Sequence, residues 1–322
     1  MHYRRICIAF LIVCLTLAQA AKKKNPDDVT ETLELPKDPP MVAIGETSHL
    51  VFHVSPLTAK GLLSQQTHDA LKAILKLNGG AQVIHVRAFV AGSGDLRRVP
   101  QIVSEVFTEK KMQLPSVSVV QGGGLPLDGA QVVLETVSAA KKEVNPGGLI
   151  FIEAQDAATL DQSVARLAAR MPGASALRVT CFVSDLTNAT ERTASIAARF
   201  PSAVVDLIQT QRASSRTFAA CEGVARSARN APRLAFTGTQ VAFGVEEQNA
   251  RQAFQRLDRD LTEAGVAPSD IVFMSVYPLS LPIAQLVAKV HPAHSPLTIV
   301  PFEGVASIDS SFAVDAVAAL PK

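Results

Sequence analysis

The 322-residue chain has no tryptophan, two tyrosines and only 5% aromatic residues in all, so any core it builds is mainly aliphatic. It also lacks an excess of charge, with 31 Lys and Arg against 29 Asp and Glu and a formal net charge of +2. No segment beyond the N-terminus carries a dense basic face, which removes the electrostatic footing for nucleic-acid binding. Four cysteines are too few for a disulfide framework in a chain of this length. No apolar run reaches the roughly 20 residues that span a bilayer. What the chain does have is apolar side chain, 48% of its residues. That composition excludes general disorder, and the length suits two or three domains.

The N-terminus reads as a secretory signal. Arg4 and Arg5 precede an apolar-to-neutral run from Ile6 to Ala18, and Ala18-Gln19-Ala20 puts small residues where a signal peptidase needs them. The expectation is a signal at residues 1–20, a secreted or periplasmic protein, and no membrane attachment after cleavage. Residues 21–42, polar and Pro-containing through Lys22 to Pro40, read as a flexible lead-in. Cys7 and Cys14 leave with the signal. Cys181 and Cys221 remain, and an oxidising compartment would permit them to pair. Two buried thiols on apolar strands fit equally well.

Internal repetition organises the rest. Each of three passes opens on an apolar strand: Leu50-Val51-Phe52, Leu149-Ile150-Phe151-Ile152 and Leu234-Ala235-Phe236. An amphipathic helix follows each, marked by Ala70, Leu71, Ile74 and Leu75, by Leu160, Val164, Leu167 and Met171, and by Phe254, Leu257 and Leu261. Gly79, Gly173 and Gly265 stop these helices. A second strand then carries Phe89, Phe182 or Tyr277, spaced 93 and 95 residues apart. Second helices lie around Ile102–Phe107, Ala189–Phe200 and Ile283–Val290, with Pro115, Pro201 and Pro296 after them. Each pass ends on an apolar strand interrupted by one carboxylate: Glu135, Glu222 and Asp315, spaced 87 and 93 residues apart. The boundaries read as 43–142, 146–229 and 231–322. Helices inserted between strands of one sheet pack on one face of it. The opposite face needs a partner, which two further copies can supply.

These residues resemble the RidA/YjgF family of small α/β proteins. The likeness runs through Gln66-Thr67 to Ala70-Leu71, Val86 to Val90, Leu125-Pro126 with Val133-Leu134-Glu135, Val179 to Leu186, Cys221 to Ala225, Ala235 to Gln240 and Gln248 to Gly265. It covers nearly all of residues 44–320. The resemblance implies an α+β fold of the RidA (chorismate-mutase-like) kind, each unit a mixed sheet with two helices on one face. Three such units would form a pseudo-trimer within one chain, a monomer with internal trimer-like packing and small-molecule clefts between units. Active members hydrolyse enamines and imines, using an Arg to grip the substrate carboxylate and a Gly and a Glu to position substrate and water. No cofactor or metal is implied.

The sequence departs from that pattern where the Arg belongs. Val117 occupies the position in the first pass, and Ser202-Ala203-Val204 and Leu297-Thr298-Ile299 lack an Arg in the others. The candidates left for catalysis are Glu135, Glu222 and Asp315, whose pKa in an apolar cleft would tend upward; a structural hydrogen bond would satisfy them equally. On extended strands Glu135 shares a face with Val133 and Val137, and Glu222 with Phe218 and Val224. Thr237 and Gly238, in Thr237-Gly238-Thr239-Gln240, are the ligand-binding candidates through backbone N–H groups. Arg212 and Arg216 read as solvated surface residues. Gly122-Gly123-Gly124 reads as a flexible turn, since the Lys-Ser/Thr ending of a phosphate loop is missing. His49 with His53, and His291 with His294, lack the further ligands of a metal site. The expected function is small-molecule binding or interaction through degenerate clefts, without the usual deaminase chemistry. The alternative is an enamine/imine deaminase-like hydrolase using the cleft carboxylates, so the sequence leaves enzyme or non-enzyme open.

Overall fold

The computed structural model describes residues 35–171, 175–212, 214, 216–228, 231–291 and 296–320. The chain divides into two compact units, Met1–Leu35 and Pro36–Lys322. The expected signal, most of the lead-in, Gly173 and His294 lie outside the described residues. Every helix and strand among the described residues belongs to the second unit.

That unit opens with β1 (Val42–Glu46), which starts on the last residue of the expected lead-in and runs into the expected first pass, and continues through a 3-10 turn at Thr47–His49. The next segment runs β2 (Leu50–Val54), α1 (Leu63–Leu77), β3 (Gln82–Ala91), α2 (Arg98–Glu109), β4 (Ser116–Gly122) and β5 (Val132–Ala139). A second runs β6 (Leu149–Ala157), α3 (Leu160–Ala169), β7 (Ala176–Val183), α4 (Ala189–Arg199), β8 (Val204–Gln209) and β9 (Ala219–Arg226). A third runs β10 (Arg233–Thr237), β11 (Gln240–Phe243), α5 (Glu247–Glu263), β12 (Ile271–Pro278), α6 (Leu281–Val290), β13 (Leu297–Ile299), β14 (Gly304–Val305) and β15 (Ser310–Leu320). Among the described residues the fold is thus mixed α+β, with six α-helices and three mixed sheets. The helices start where the chemistry dictates. The Thr159 side chain accepts from the Gln162 N–H ahead of α3, and the Ser280 side chain accepts from Ile283 ahead of α6, which carries Pro282 in its first turn.

The strand orders are β14-β4-β3-β5-β2, β8-β7-β9-β6 and β13-β12-β15-β10-β1, with β11 also on β15. In the first two segments the strands therefore lie in the order third, second, last, first; β13-β12-β15-β10 matches that order in the third segment when β11, which pairs with β15, and β14, which joins the first sheet, are set aside. The pairs β3·β4, β7·β8 and β12·β13 are parallel, each joined across a helix; the other pairings are antiparallel.

The cores divide into two kinds. Three lie between a sheet and its own helices: Leu71, Ile102 and Leu134 in the first, Leu167, Ile196 and Val179 in the second, Leu257, Val287 and Val314 in the third. Two others mix all three sheets. One gathers Phe89 and Val133, Phe182 and Ile208, and Tyr277 and Phe302. The other gathers Phe52 and Val137, Phe151 and Val224, and Phe236 and Phe273. The scarce aromatics are thus spent where the sheets meet. Phe89, Phe182 and Tyr277 each stand 5.4–6.0 Å, centroid to centroid, from Phe302, and such pairs add about 0.5–1.5 kcal/mol each beyond burial. Between sheets, β2 touches β7 and β8, β6 touches β12 and β13, and β10 touches β3 and β4.

Three features differ from the sequence expectation or complete it. Strand β1 adds to β10, about 190 residues away, with Ile44 opposite Ala235. Gly122-Gly123-Gly124 is a close-packed crossing, not a flexible turn. A Cβ on Gly122 would stand 2.7 Å from the Gln209 carbonyl oxygen, and one on Gly123 2.7 Å from the Arg212 nitrogen. Cys181 and Cys221, directly opposed on β7 and β9, form a disulfide with an S–S distance of 2.07 Å.

Candidate functional site

Alternation on the strands builds the centre of the molecule. On β5, Val133 joins one shared apolar layer and Val137 the other, which leaves Glu135 between them. The same holds for Glu222 between Ala220 and Val224 on β9, and for Asp315 between Ala313 and Val317 on β15. Register then places Arg87, Thr180 and Ser275 opposite these carboxylates, and Ser118, Asp206 and Thr298 beyond them. A polar layer is enclosed between two apolar ones.

Arg87 organises it. Its Nε donates to Glu135 Oε2 at 2.7 Å and its Nη2 to Glu222 Oε1 at 2.7 Å, so one guanidinium serves carboxylates from two sheets. Arg178 approaches the same two carboxylates at 3.5 and 3.6 Å. The Thr180 hydroxyl donates to Glu135, and the Tyr277 hydroxyl to Asp315 Oδ2 at 3.0 Å. Arg87 is 3% exposed, Glu135 1% and Glu222 0%. The space beside Arg87, Arg178, Ser275 and Asp315 is about 20 Å³, room for about one water.

Burial acts on each group, and the partners decide the outcome. Burial pushes the Glu135 carboxyl up, but Arg87, Arg178 and the Thr180 hydroxyl overcome it and hold the group below its ordinary range. Burial and the nearby Glu135 charge push Asp206 up to about 8. Burial raises Asp315 to about 6, with Arg87 opposing. Burial, reinforced by Arg87 and Arg178, lowers His85 to about 3, so its ring is neutral. At neutral pH Glu135 is therefore ionised while Asp206 is mainly protonated.

No protein-family model and no curated protein matches this chain. Solved structures do. A member of the YjgF/YER057c/UK114 family from Mycobacterium tuberculosis is 19% identical, covers 30% of this chain and 83% of its own, and gives a TM-score of 0.26. A Rid-family protein of unknown function from Yersinia pestis is 13% identical over 27% of this chain and 80% of its own, with a TM-score of 0.25. A chorismatase is 12% identical over 88% of this chain and 80% of its own, with a TM-score of 0.44.

The carboxylates singled out from sequence thus come together, but inside an ion-pair layer. The ligand-binding candidates are also engaged. Thr237 accepts from the Ala316 N–H at 2.9 Å, and the Gly238 N–H donates to the Met41 carbonyl at 2.8 Å. Position 117 meets this turn directly. The Thr239 N–H lies 3.4 Å from the Val117 carbonyl oxygen, and a Cβ on Gly238 would stand 2.8 Å from the same atom. Sequence reasoning passed over Arg87 and Arg178. The sequence places Arg87 on the strand face of Phe89, two residues on, but nothing local in it names the partner carboxylates. The described residues contain no cluster of His, Cys, Asp and Glu able to hold a metal ion, and no helix long and apolar enough to cross a membrane.

Open space lies outside the layer. A cleft of about 440 Å³ between the third and first sheets is lined by Arg97, Gln121, Glu303 and Ile308. Another of about 390 Å³ joins the second sheet to the third. Arg212 braces the first region, its Nε donating to the Gly123 carbonyl at 3.0 Å, while Arg216 borders the second cleft.

Proposed function

We propose that the chain is a secreted protein of three RidA-like units, 43–142, 146–229 and 231–322, closed into an intramolecular pseudo-trimer that binds small molecules at clefts between units. In this reading the units do not perform enamine or imine deamination. The thrice-repeated strand order, the two cores drawn from all three sheets and the cyclic set of inter-sheet contacts support the ring. One observation carries the functional part: Glu135 and Glu222 share the Arg87 guanidinium in a layer that excludes substrate-sized molecules. A carboxylate committed to such a pair has no open side for general acid–base work. Its role is to lock the register of the sheets, since a buried charge left without its partner is costly.

Ammonia release from freshly generated 2-aminoacrylate or 2-iminopropionate tests this. The expected rate with purified mature protein equals that of buffer. Turnover abolished by Glu135→Ala or Glu222→Ala, in a variant that still folds, would overturn the reading. Sedimentation tests the ring, which requires the mass of one chain; a particle of three chains defeats it.

A further inference from the structure

We infer that Asn188 is an attachment site for an N-linked oligosaccharide. This rests on the proposed secretion and not on the ring. Asn188-Ala189-Thr190 is the one Asn-X-Ser/Thr triplet with X other than Pro in the 322 residues, the acceptor pattern of a secreted chain. The fold places it at the turn between β7 and α4, with Asn188 and Thr190 both exposed and Ala189 buried beneath them. The other described asparagines are spoken for. Asn78 and Asn145 are buried, and Asn249 completes the capping box of α5.

The Asn188 amide is not needed by the turn it occupies. An Asn ahead of a helix ordinarily holds extended backbone and caps the first turn with its side chain. Here φ is 53° and ψ 40°, a left-handed conformation that Asn tolerates, and the side chain makes no capping hydrogen bond. Other groups hold the turn. The Thr187 N–H donates to Asp185 Oδ1 at 3.0 Å, and Arg192 Nη1 donates to the Asp185 carbonyl at 3.0 Å. Beside Asn188 a groove of about 350 Å³ opens between α3 and α4, lined by Leu160, Val164, Ile196, Asp161 and Glu191, which leaves room for the first sugars. Val164 and Ile196 belong to the core between the second sheet and its own helices, not to the cores shared by three sheets. A glycan here therefore leaves the contacts between sheets undisturbed.

The donor is an oligosaccharide carried on a lipid diphosphate, and a membrane transferase of the secretory pathway performs the transfer. A bond forms between Asn188 Nδ2 and C1 of the first sugar, while the C1–O bond to the diphosphate breaks. The lipid diphosphate leaves with the electron pair, and the displaced Nδ2 proton passes to a base of the transferase. Thr190 supplies the hydroxyl by which the transferase recognises the triplet.

Expression of the full chain in a eukaryotic secretory host tests the inference, read by mass spectrometry of the protein recovered from the medium. The wild type should carry one glycan, lost on treatment with a glycan amidase that deamidates Asn188 as it cuts. Asn188→Gln and Thr190→Ala should each lack the glycan while Thr190→Ser keeps it, a rescue that a merely structural role of the turn does not give. A secreted wild-type chain without a glycan, or a glycan that persists in Asn188→Gln, would overturn the assignment. Retention of the wild-type chain inside the cell overturns the secretion reading instead. The chain with residues 1–20 replaced by an established signal then decides the site: a glycan on Asn188 supports the assignment, and a bare Asn188 overturns it.

Discussion

The buried centre and the rim of this fold use the same residue types to opposite ends. At the centre, Arg87 holds Glu135 and Glu222 at 2.7 Å with almost no exposure. At the rim, Arg166 and Arg216 are exposed; Arg166 donates to the Asp156 backbone carbonyl, and both reach the Asp156 carboxylate only at longer range. In the buried layer the guanidiniums already lie within 2.7–3.6 Å of Glu135 and Glu222, and removing one leaves a buried charge less compensated. At the rim water screens the charges, which makes the partner exchangeable. Burial, not residue identity, therefore separates the fixed ion pairs of this fold from the exchangeable ones.

The largest expected effect breaks the centre. Arg87→Met should cost about 3–5 kcal/mol in urea unfolding, because Glu135 and Glu222 stay buried with only the more distant Arg178 guanidinium beside them. Adding Glu135→Gln and Glu222→Gln should recover most of that loss. A cost under about 1 kcal/mol for Arg87→Met would mean the layer is hydrated and resembles the rim after all.

Next comes the second sheet, which supplies Thr180 and Glu222 to the layer and Arg166 and Arg216 to the cleft. The disulfide there closes a separation of 40 residues. Cys181→Ala with Cys221→Ala should lower stability by about 2–4 kcal/mol in denaturant unfolding. A loss under about 1 kcal/mol would mean that sheet packing alone holds β7 against β9.

A third effect sharpens the centre by pH. Asp206 faces Glu135, Arg87 and Arg178, and its folded pKa of about 8 lies above the ordinary 3.8. The folded state thus keeps a proton that the unfolded chain releases, so this group's contribution declines as pH climbs from about 4 through about 8. Between pH 6 and 8 the wild type should lose about 2 kcal/mol relative to Asp206→Asn, measured as the difference between their unfolding free energies. Parallel pH profiles would remove Asp206 from the layer's energetics. The smallest effect belongs to the rim. Arg216→Gln should change stability by less than about 0.5 kcal/mol in the same unfolding assay, and a larger loss would make the cleft part of the scaffold.

Much of this was legible in the sequence. Ala70, Leu71 and Ile74 mark α1, and Leu257 and Leu261 mark α5, because an amphipathic helix must put its apolar side chains on one face. The alternation around Glu135, Glu222 and Asp315 foretold that each shares a face with apolar neighbours. Other features were not legible, for identifiable reasons. Arg87 is a single charge in an apolar strand, and its partner Glu222 stands 135 residues away on another sheet. The partner of β1 is equally remote. Gly122 and Gly123 look like a loose turn until the Gln209–Arg212 backbone is laid against them.

By itself the sequence determined the main helices and strands and which side chains alternate inward, because those follow from local periodicity along one chain. Only the tertiary structure decided that the recurring carboxylates face one another, that Arg87 joins two of them, and that Cys181 meets Cys221. Those outcomes depend on strand register and on the packing of sheet against sheet, where residues far apart in the chain come within hydrogen-bonding distance.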